Sequence, residues 1–79
     1  MNLRAFRTIL ASSRGPYLLK LASGGEVTIP HIDYVALPGQ VADLEEQPTV
    51  VGVYVGRTVQ FVDLGLTVSV EIPQTRSSP

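Results

Sequence analysis

The most informative part of the chain is Val62-Asp63-Leu64-Gly65-Leu66-Thr67-Val68-Ser69-Val70-Glu71-Ile72, where six apolar residues occupy every second position. The positions between them hold acidic residues, hydroxyl residues or glycine. Because side chains on a β-strand alternate between two faces, this pattern predicts a strand with one buried face and one exposed face. We therefore expect a β domain whose C-terminal strand is also its central strand.

Upstream of this segment, shorter apolar runs separated by glycine and proline predict further strands. The predicted strands cover about residues 17–22, 26–30, 32–37, 49–55 and 59–72. Phe61 and Val62 are adjacent apolar residues, so the alternation changes phase between them. Such a change indicates a β-bulge, or a corner where the strand passes from one sheet to another. Residues 40–48 break the β pattern and predict either a loop with one helical turn or a mobile connection.

The N-terminal residues follow a helical pattern instead. Asn2 is a typical N-cap, and apolar residues follow it at helical spacing. These residues are Leu3, Phe6, Ile9 and Leu10. Gly15-Pro16 predicts the end of the helix, because glycine supplies a left-handed C-cap and proline cannot continue the hydrogen-bond ladder. We expect an amphipathic helix over about residues 2–13.

One helix followed by about five strands, the last of them long and bent, predicts a mainly β domain over residues 1–73. Short strands linked by hairpins favour a small, partly open barrel of the SH3-like or Sm-like type. The competing architecture is an α+β antiparallel sheet with the helix packed on one face. Residues 74–79 show no pattern and are expected to be a disordered tail.

The composition favours self-association and argues against a metal site. Charged residues make up 16% of the 79-residue chain, against about 25% in a typical globular protein. A small domain with so few charges exposes apolar surface, and such surface usually meets a partner. The chain has no cysteine and one histidine, so we predict no cofactor and no metal. It also lacks a signal peptide and an apolar run of about 20 residues, and we expect a cytoplasmic protein with no membrane contact.

The charges are distributed unevenly along the chain. Residues 1–20 hold four basic and no acidic residues, whereas residues 21–48 hold five acidic and no basic residues. The basic residues are Arg4, Arg7, Arg14 and Lys20, and the three arginines are predicted to share one flank of the helix. Such asymmetry can attract a nucleic acid, can pair one subunit with another, or can be solvated surface. Tyr34 and Tyr54 are the candidate exposed aromatic residues for nucleic-acid stacking.

His31 and Asp33 are the best candidates for chemistry. They lie two residues apart and would share a face of an extended segment, as a histidine oriented by a carboxylate does in catalytic pairs. No nucleophile motif of the Gly-x-Ser-x-Gly type accompanies them. A polar contact that anchors a loop or an interface explains the pair more simply, so we predict that the protein is not an enzyme.

The order of these elements resembles the Sm-like fold of bacterial Hfq. The resemblance is carried by the helix, Leu19-x-Leu21, Gly24-Gly25, a strand containing Asp33 and the valine-rich C-terminal hairpin. It covers roughly residues 3–72 and implies a barrel that assembles into rings. The second Sm motif is absent, since Asp63-Leu64-Gly65-Leu66 stands in its place.

A second resemblance is to small bacterial β-rich proteins of unknown function. The matching elements are Leu19-Lys20-Leu21, Gly24-Gly25, Ile29-Pro30-His31-Ile32-Asp33-Tyr34-Val35-Ala36-Leu37 and Val62-Asp63-Leu64-Gly65-Leu66-Thr67-Val68. This resemblance implies no activity.

We expect, from these observations together, a non-enzymatic interaction module that forms a homo-oligomer and binds another protein through a strand edge or an apolar patch. The alternative is an Sm-like or SH3-like regulator that binds nucleic acid through its basic N-terminal helix. An enzyme with a site around His31, shared between subunits, is the third hypothesis.

Overall fold

The computed structural model describes residues 1–39 and 42–73 and is mainly β with an N-terminal helix. Its helices are α1 (Leu3–Ser12) and α2 (Ala42–Glu45). Its strands are β1 (Tyr17–Leu21), β2 (Glu26–Ile29), β3 (Val35–Ala36), β4 (Val50–Val55), β5 (Thr58–Asp63) and β6 (Thr67–Glu71). Two 3-10 turns, Ile32–Tyr34 and Leu64–Leu66, precede β3 and β6. The tail predicted at 74–79 lies outside the described residues.

The strands form two antiparallel sheets of three strands each. The first sheet has the order β2-β1-β6 and the second has the order β3-β4-β5. The expectation of a central C-terminal strand is wrong, since β6 lies at the edge of the first sheet and β1 is central. Between them, the strands of residues 1–39 and 42–73 do not close into one barrel.

The single long strand predicted over 59–72 is two strands, because the chain turns a corner at Leu64–Leu66. The Asp63 carboxylate accepts a hydrogen bond from the Gly65 N–H at 2.8 Å and so caps this 3-10 turn. The Leu64 N–H donates to the Thr49 carbonyl at 2.9 Å, and the Leu66 carbonyl accepts from the Ala22 N–H at 2.8 Å. The corner is thus bonded to both sheets, as the phase change at Phe61 and Val62 indicated.

The corner also reverses which residues are buried. Leu64 is buried as the alternation predicted, but Leu66 and Val68 are exposed and Thr67 is buried instead. A register shift between Lys20 and Leu21, opposite β6, accompanies the change. The dry face expected over residues 62–72 therefore does not continue beyond Leu64.

Helix α1 lies within one residue of its predicted bounds at each end. The Asn2 side chain accepts a hydrogen bond from the Ala5 N–H at 2.8 Å, and the helix ends at Ser12 with Ser13 as its C-cap. Gly15 has a φ of 113°, and a Cβ there would lie 2.9 Å from the Pro30 carbonyl oxygen. The positive φ of Gly15 allows the segment around Gly15 to pass close to the segment around Pro30. Gly15 does not cap the helix, whose C-cap is Ser13.

The helix and both sheets share one core. It consists of Leu3, Phe6, Leu10, Tyr17, Leu19, Ile29, Val51, Val53, Val62 and Leu64. The Tyr17 hydroxyl donates to the Ser13 carbonyl and so ties β1 to the end of the helix. Burial raises the pKa of this phenol above its ordinary value, and the charge of Arg14 partly opposes that effect.

The connection between the sheets differs in part from expectation. The strand predicted at 32–37 is a 3-10 turn followed by the two-residue strand β3. The turn forms because the His31 ring captures the Asp33 N–H, which a strand would use for its ladder. One helical turn, α2, lies within residues 40–48, and positions 40 and 41 fall outside the described part.

Candidate functional site

The four basic residues singled out in the sequence do not form one patch. Arg4 and Arg7 lie on α1, Arg14 lies beyond the end of the helix, and Lys20 lies in β1. Arg14 lies beyond the C-cap Ser13, so the expected flank of three arginines on the helix is not formed.

The two arginines of α1 face the acidic segment around α2. The Arg7 Nε lies 3.0 Å from the Glu45 Oε2, and the same guanidinium donates to the Pro38 carbonyl. Arg4 pairs with Glu46 at the surface. The side chains of Arg7 and Glu45 are 20% and 14% exposed, so this ion pair is largely shielded from water. The opposite charges of residues 1–20 and 21–48 are therefore joined within one molecule.

Lys20 is also paired. Its Nζ lies 3.2 Å from the Glu26 Oε2 and 3.9 Å from the Glu71 Oε2, across the strands on either side of β1. The hydrogen bond to Glu26 and the charges of both carboxylates raise the pKa of Lys20 above its ordinary value. A polyanion that approached this lysine would compete with two acidic neighbours.

His31 and Asp33 are brought together as a turn cap. The His31 Nδ1 accepts a hydrogen bond from the Asp33 N–H at 3.1 Å, and it lies 3.4 Å from the Asp33 Oδ2. A nitrogen that accepts this bond carries no proton. A catalytic pair needs the opposite arrangement, in which Nδ1–H donates to the carboxylate. The observed geometry is that of a turn cap.

A group of exposed apolar side chains lies on the outer face of the second sheet. Tyr54 is opposite Val59, and Gly52 is opposite both Phe61 and Ala36. Residues directly opposite in an antiparallel pair point to the same face. We call the outer face formed by Ala36, Val50, Gly52, Tyr54, Val59 and Phe61 the apolar face.

The apolar face is strongly exposed in the single chain. Phe61 is 78% exposed, Val50 and Tyr54 are each 50% exposed, and Val59 is 44% exposed. No side chain projects from the middle of the face, because residue 52 is glycine. A Cβ atom added at Gly52 would lie 3.4 Å from the Ala36 Cβ, which is its nearest neighbour. Gly52 is itself buried, and larger exposed side chains surround it.

A groove lies between the free edge of β5 and the first sheet. Its volume is about 330 Å³, and it is lined by Leu21, Val27, Gln60, Phe61, Val62, Asp63 and Leu66. Phe61 belongs to both the groove and the apolar face. Four consecutive residues of β5, Gln60 to Asp63, line this groove.

A second cavity of about 340 Å³ lies beside α1. It is lined by Arg7, Leu10, Ala11, Ile32, Val35 and Leu37. Arg7 is the one polar side chain in this lining, and its guanidinium is already bound to Glu45 and Pro38. We therefore assign no function to this cavity.

The predicted aromatic residues are exposed, and one residue was missed. Tyr34 is 45% exposed at the end of the 3-10 turn before β3, and Tyr54 belongs to the apolar face. Phe61 was not among the predicted exposed aromatic residues, yet it is more exposed than either tyrosine. Its adjacency to Val62 was the available signal, because two neighbours on a strand cannot both point inward.

No protein-family model matches the chain, and no curated protein or solved structure is significantly similar to it. Across residues 1–39 and 42–73, no group of three or more histidine or acidic side chains is arranged to hold a metal ion. Neither helix in that part of the chain has the length and apolar character to cross a membrane.

Proposed function

We propose that this protein is a non-enzymatic interaction module that associates with itself and binds another protein through the apolar face. The single observation that carries the proposal is the cluster of exposed Val50, Tyr54, Val59 and Phe61 on one sheet. Leaving such a cluster in water costs free energy, and contiguous exposed apolar patches usually mark interaction sites.

The surroundings of the apolar face support this proposal. Aromatic residues at the centre of a patch and polar residues at its rim are typical of protein interfaces. Here the β4–β5 hairpin places Arg57 beyond one end of β5 and Asp63 at the other end, with uncharged residues between them. A partner with an apolar centre and opposite charges at its margins would fit this surface.

The alternative, a regulator that binds nucleic acid, is the weaker proposal. Arg4, Arg7 and Lys20 each have an acidic neighbour, and a nucleic acid would have to displace these carboxylates. A partly open SH3-like barrel likewise remains a proposal, supported by two sheets that meet at a 3-10 corner. A titration with single-stranded RNA or DNA at low ionic strength tests the alternative, since binding there would favour it.

The proposed function is tested by sedimentation equilibrium of the wild type and of two matched variants. Phe61→Ser removes the most exposed apolar residue of the apolar face, whereas Val68→Ser removes a residue of β6 that is 68% exposed in the other sheet. We expect the wild type and Val68→Ser to self-associate and Phe61→Ser to be shifted to monomer. A wild type that stays monomeric at millimolar concentration would contradict the proposal.

A further inference from the structure

The hydrogen-bonding pattern of the second sheet defines which β5 groups are free. The Leu64 N–H donates to the Thr49 carbonyl, and the turn at Gly56-Arg57 pairs Val55 with Thr58. Hydrogen-bonded and non-hydrogen-bonded pairs alternate along an antiparallel ladder. The backbone groups of Thr58, Gln60 and Val62 therefore face β4. Those of Val59 and Phe61 point away from β4, toward the free edge.

Between its ends, this free edge lacks the charged residues and prolines that usually protect an edge strand. Natural edge strands are blocked by lysine, proline, bulges or a covering element. Residues 58–62 contain neither a charged residue nor proline. A groove lies beside Gln60, Phe61 and Val62, and its other side is lined by Leu21, Val27 and Leu66.

We propose that the free edge of β5 pairs antiparallel with β5 of a second copy, about a two-fold axis at Gln60. The proposal rests on the self-association proposed above and names its geometry. In this register Val59 lies opposite Phe61 of the second copy, and each offers the outward N–H and carbonyl that the other needs. The two three-stranded sheets become one sheet of six strands, and the two apolar faces become continuous.

Charge complementarity selects this register. With the axis at Gln60, Arg57 lies opposite Asp63 of the second copy. By symmetry, Asp63 lies opposite Arg57 of the second copy, so the dimer contains two such pairs. An axis at Val59 would place Arg57 opposite Phe61 of the second copy. An axis at Phe61 would place Arg57 opposite Gly65 of the second copy. Arg57 is exposed, and within the described part of the chain it makes no ion pair. The proposed register gives it an acidic neighbour.

The first test is disulfide cross-linking at the axis. The chain has no cysteine, so Gln60→Cys introduces a single thiol that would meet its own copy. Directly opposite residues in a non-hydrogen-bonded pair have Cα atoms about 4.5 Å apart, within the range of a disulfide. Thr58→Cys is the matched control, because its thiol would be four residues out of register. We expect Gln60→Cys to form covalent dimers under mild oxidation at least 10-fold faster than Thr58→Cys.

The second test reverses the charges. Arg57→Asp and Asp63→Arg should each weaken self-association by about 10-fold, since two exposed ion pairs become repulsive contacts. The double variant should restore wild-type affinity, and an equimolar mixture of the two single variants should form a mixed dimer. Asp63→Arg also removes the cap on Gly65, so thermal unfolding must show that it is folded. If Asp63→Arg is unfolded, the comparison of Gln60→Cys with Thr58→Cys still tests the register.

The outcomes separate this proposal from the proposed function. If the wild type dimerises and Phe61→Ser is monomeric, but Gln60→Cys cross-links no faster than Thr58→Cys, the β5 register is overturned and self-association stands. If charge reversal at Arg57 leaves the dimer affinity unchanged, the register is likewise overturned. If the wild type is monomeric, both proposals fail. Faster cross-linking at Gln60 together with restoration by the double variant supports both.

Discussion

The two phenylalanines of the chain provide a sharp comparison between folding and association. Phe6 is fully buried in the core, whereas Phe61 is 78% exposed on the apolar face. We predict that Phe6→Ala destabilises the fold and that Phe61→Ala mainly weakens self-association. Each variant is the control for the other, because the chemical change is the same.

The expected losses of stability follow from burial. A phenylalanine buries about 200 Å² when fully covered, so the fifth of Phe61 that is covered in the single chain corresponds to about 40 Å², or about 1 kcal/mol. Replacing a buried phenylalanine with alanine costs about 3–5 kcal/mol, because a cavity is added to the lost transfer energy. We therefore expect Phe6→Ala to cost at least three times as much unfolding free energy as Phe61→Ala.

The expected loss of association follows from the exposed part of the same side chain. Covering the remaining ~160 Å² of Phe61 is worth at most about 4 kcal/mol at ~25 cal/mol/Å². Incomplete cover and the ordering of side chains reduce this figure to about 1–2 kcal/mol. The dissociation constant should therefore rise by about 5- to 30-fold.

Urea denaturation at low protein concentration measures the first quantity, and sedimentation equilibrium measures the second. If Phe61→Ala lost as much unfolding free energy as Phe6→Ala, then Phe61 would be a core residue and the apolar face would not exist as described. If its self-association were unchanged, Phe61 would lie outside the interface.

Four further substitutions test the corner, a chain crossing and the core phenol. Leu64→Ala should cost about 2–5 kcal/mol and Leu66→Ala less than about 1 kcal/mol by urea denaturation, because the first residue is buried and the second exposed. Equal costs would mean that burial is not reversed at the corner. Gly15→Ala should cost about 1–3 kcal/mol or more, since φ is 113° and the new Cβ would meet the Pro30 carbonyl. A change within error in the melting temperature would contradict that geometry. Burial raises the folded-state pKa of Tyr17, so its contribution to stability is complete below about pH 10 and is lost as the pH rises through the folded value. Tyr17→Phe should therefore reduce the decrease in unfolding free energy at alkaline pH, and the decrease that remains should be the one due to Lys20. If the pH dependence of the variant equalled that of the wild type, the raised pKa of Tyr17 would be refuted.

Local signals in the sequence predicted the local elements well. Asn2 caps α1 as expected, and the turns at Gly24 and Gly56 both use positive φ, which glycine adopts at low cost. These features depend on residues a few positions apart, so a single sequence contains the information. The mainly β class and the N-terminal helix followed from them.

The errors arose where tertiary contacts competed with alternation. The segment over 62–72 alternates perfectly, yet the bonds from Thr49 and Ala22 hold it in a 3-10 corner. Its partners lie in strands far away in the chain, and periodicity carries no information about them. The same limit made β6 appear central when it lies at an edge.

The candidate site was predictable only in part. Low charge content indicated exposed apolar surface, and Tyr54 was correctly placed in it. The pairing of Arg7 with Glu45 was not predictable, because it joins residues 38 positions apart. Phe61 was missed because a large aromatic residue is usually buried, and only its adjacency to Val62 indicated otherwise.

The ion pairs between α1 and the acidic segment have a consequence for the kinetics of encounter. Arg4 and Arg7 are matched by Glu46 and Glu45, and the whole chain has a net charge of −1. These paired charges cancel at short range and project little electric field into the solvent, so they attract no partner from a distance. The association rate of the protein should therefore lie near the ~10⁵–10⁶ M⁻¹s⁻¹ of unsteered proteins, and its dependence on ionic strength should come from the charges outside these pairs, such as Arg57. Selectivity for a partner would then depend on the dissociation rate of the complex, which short-range contacts govern.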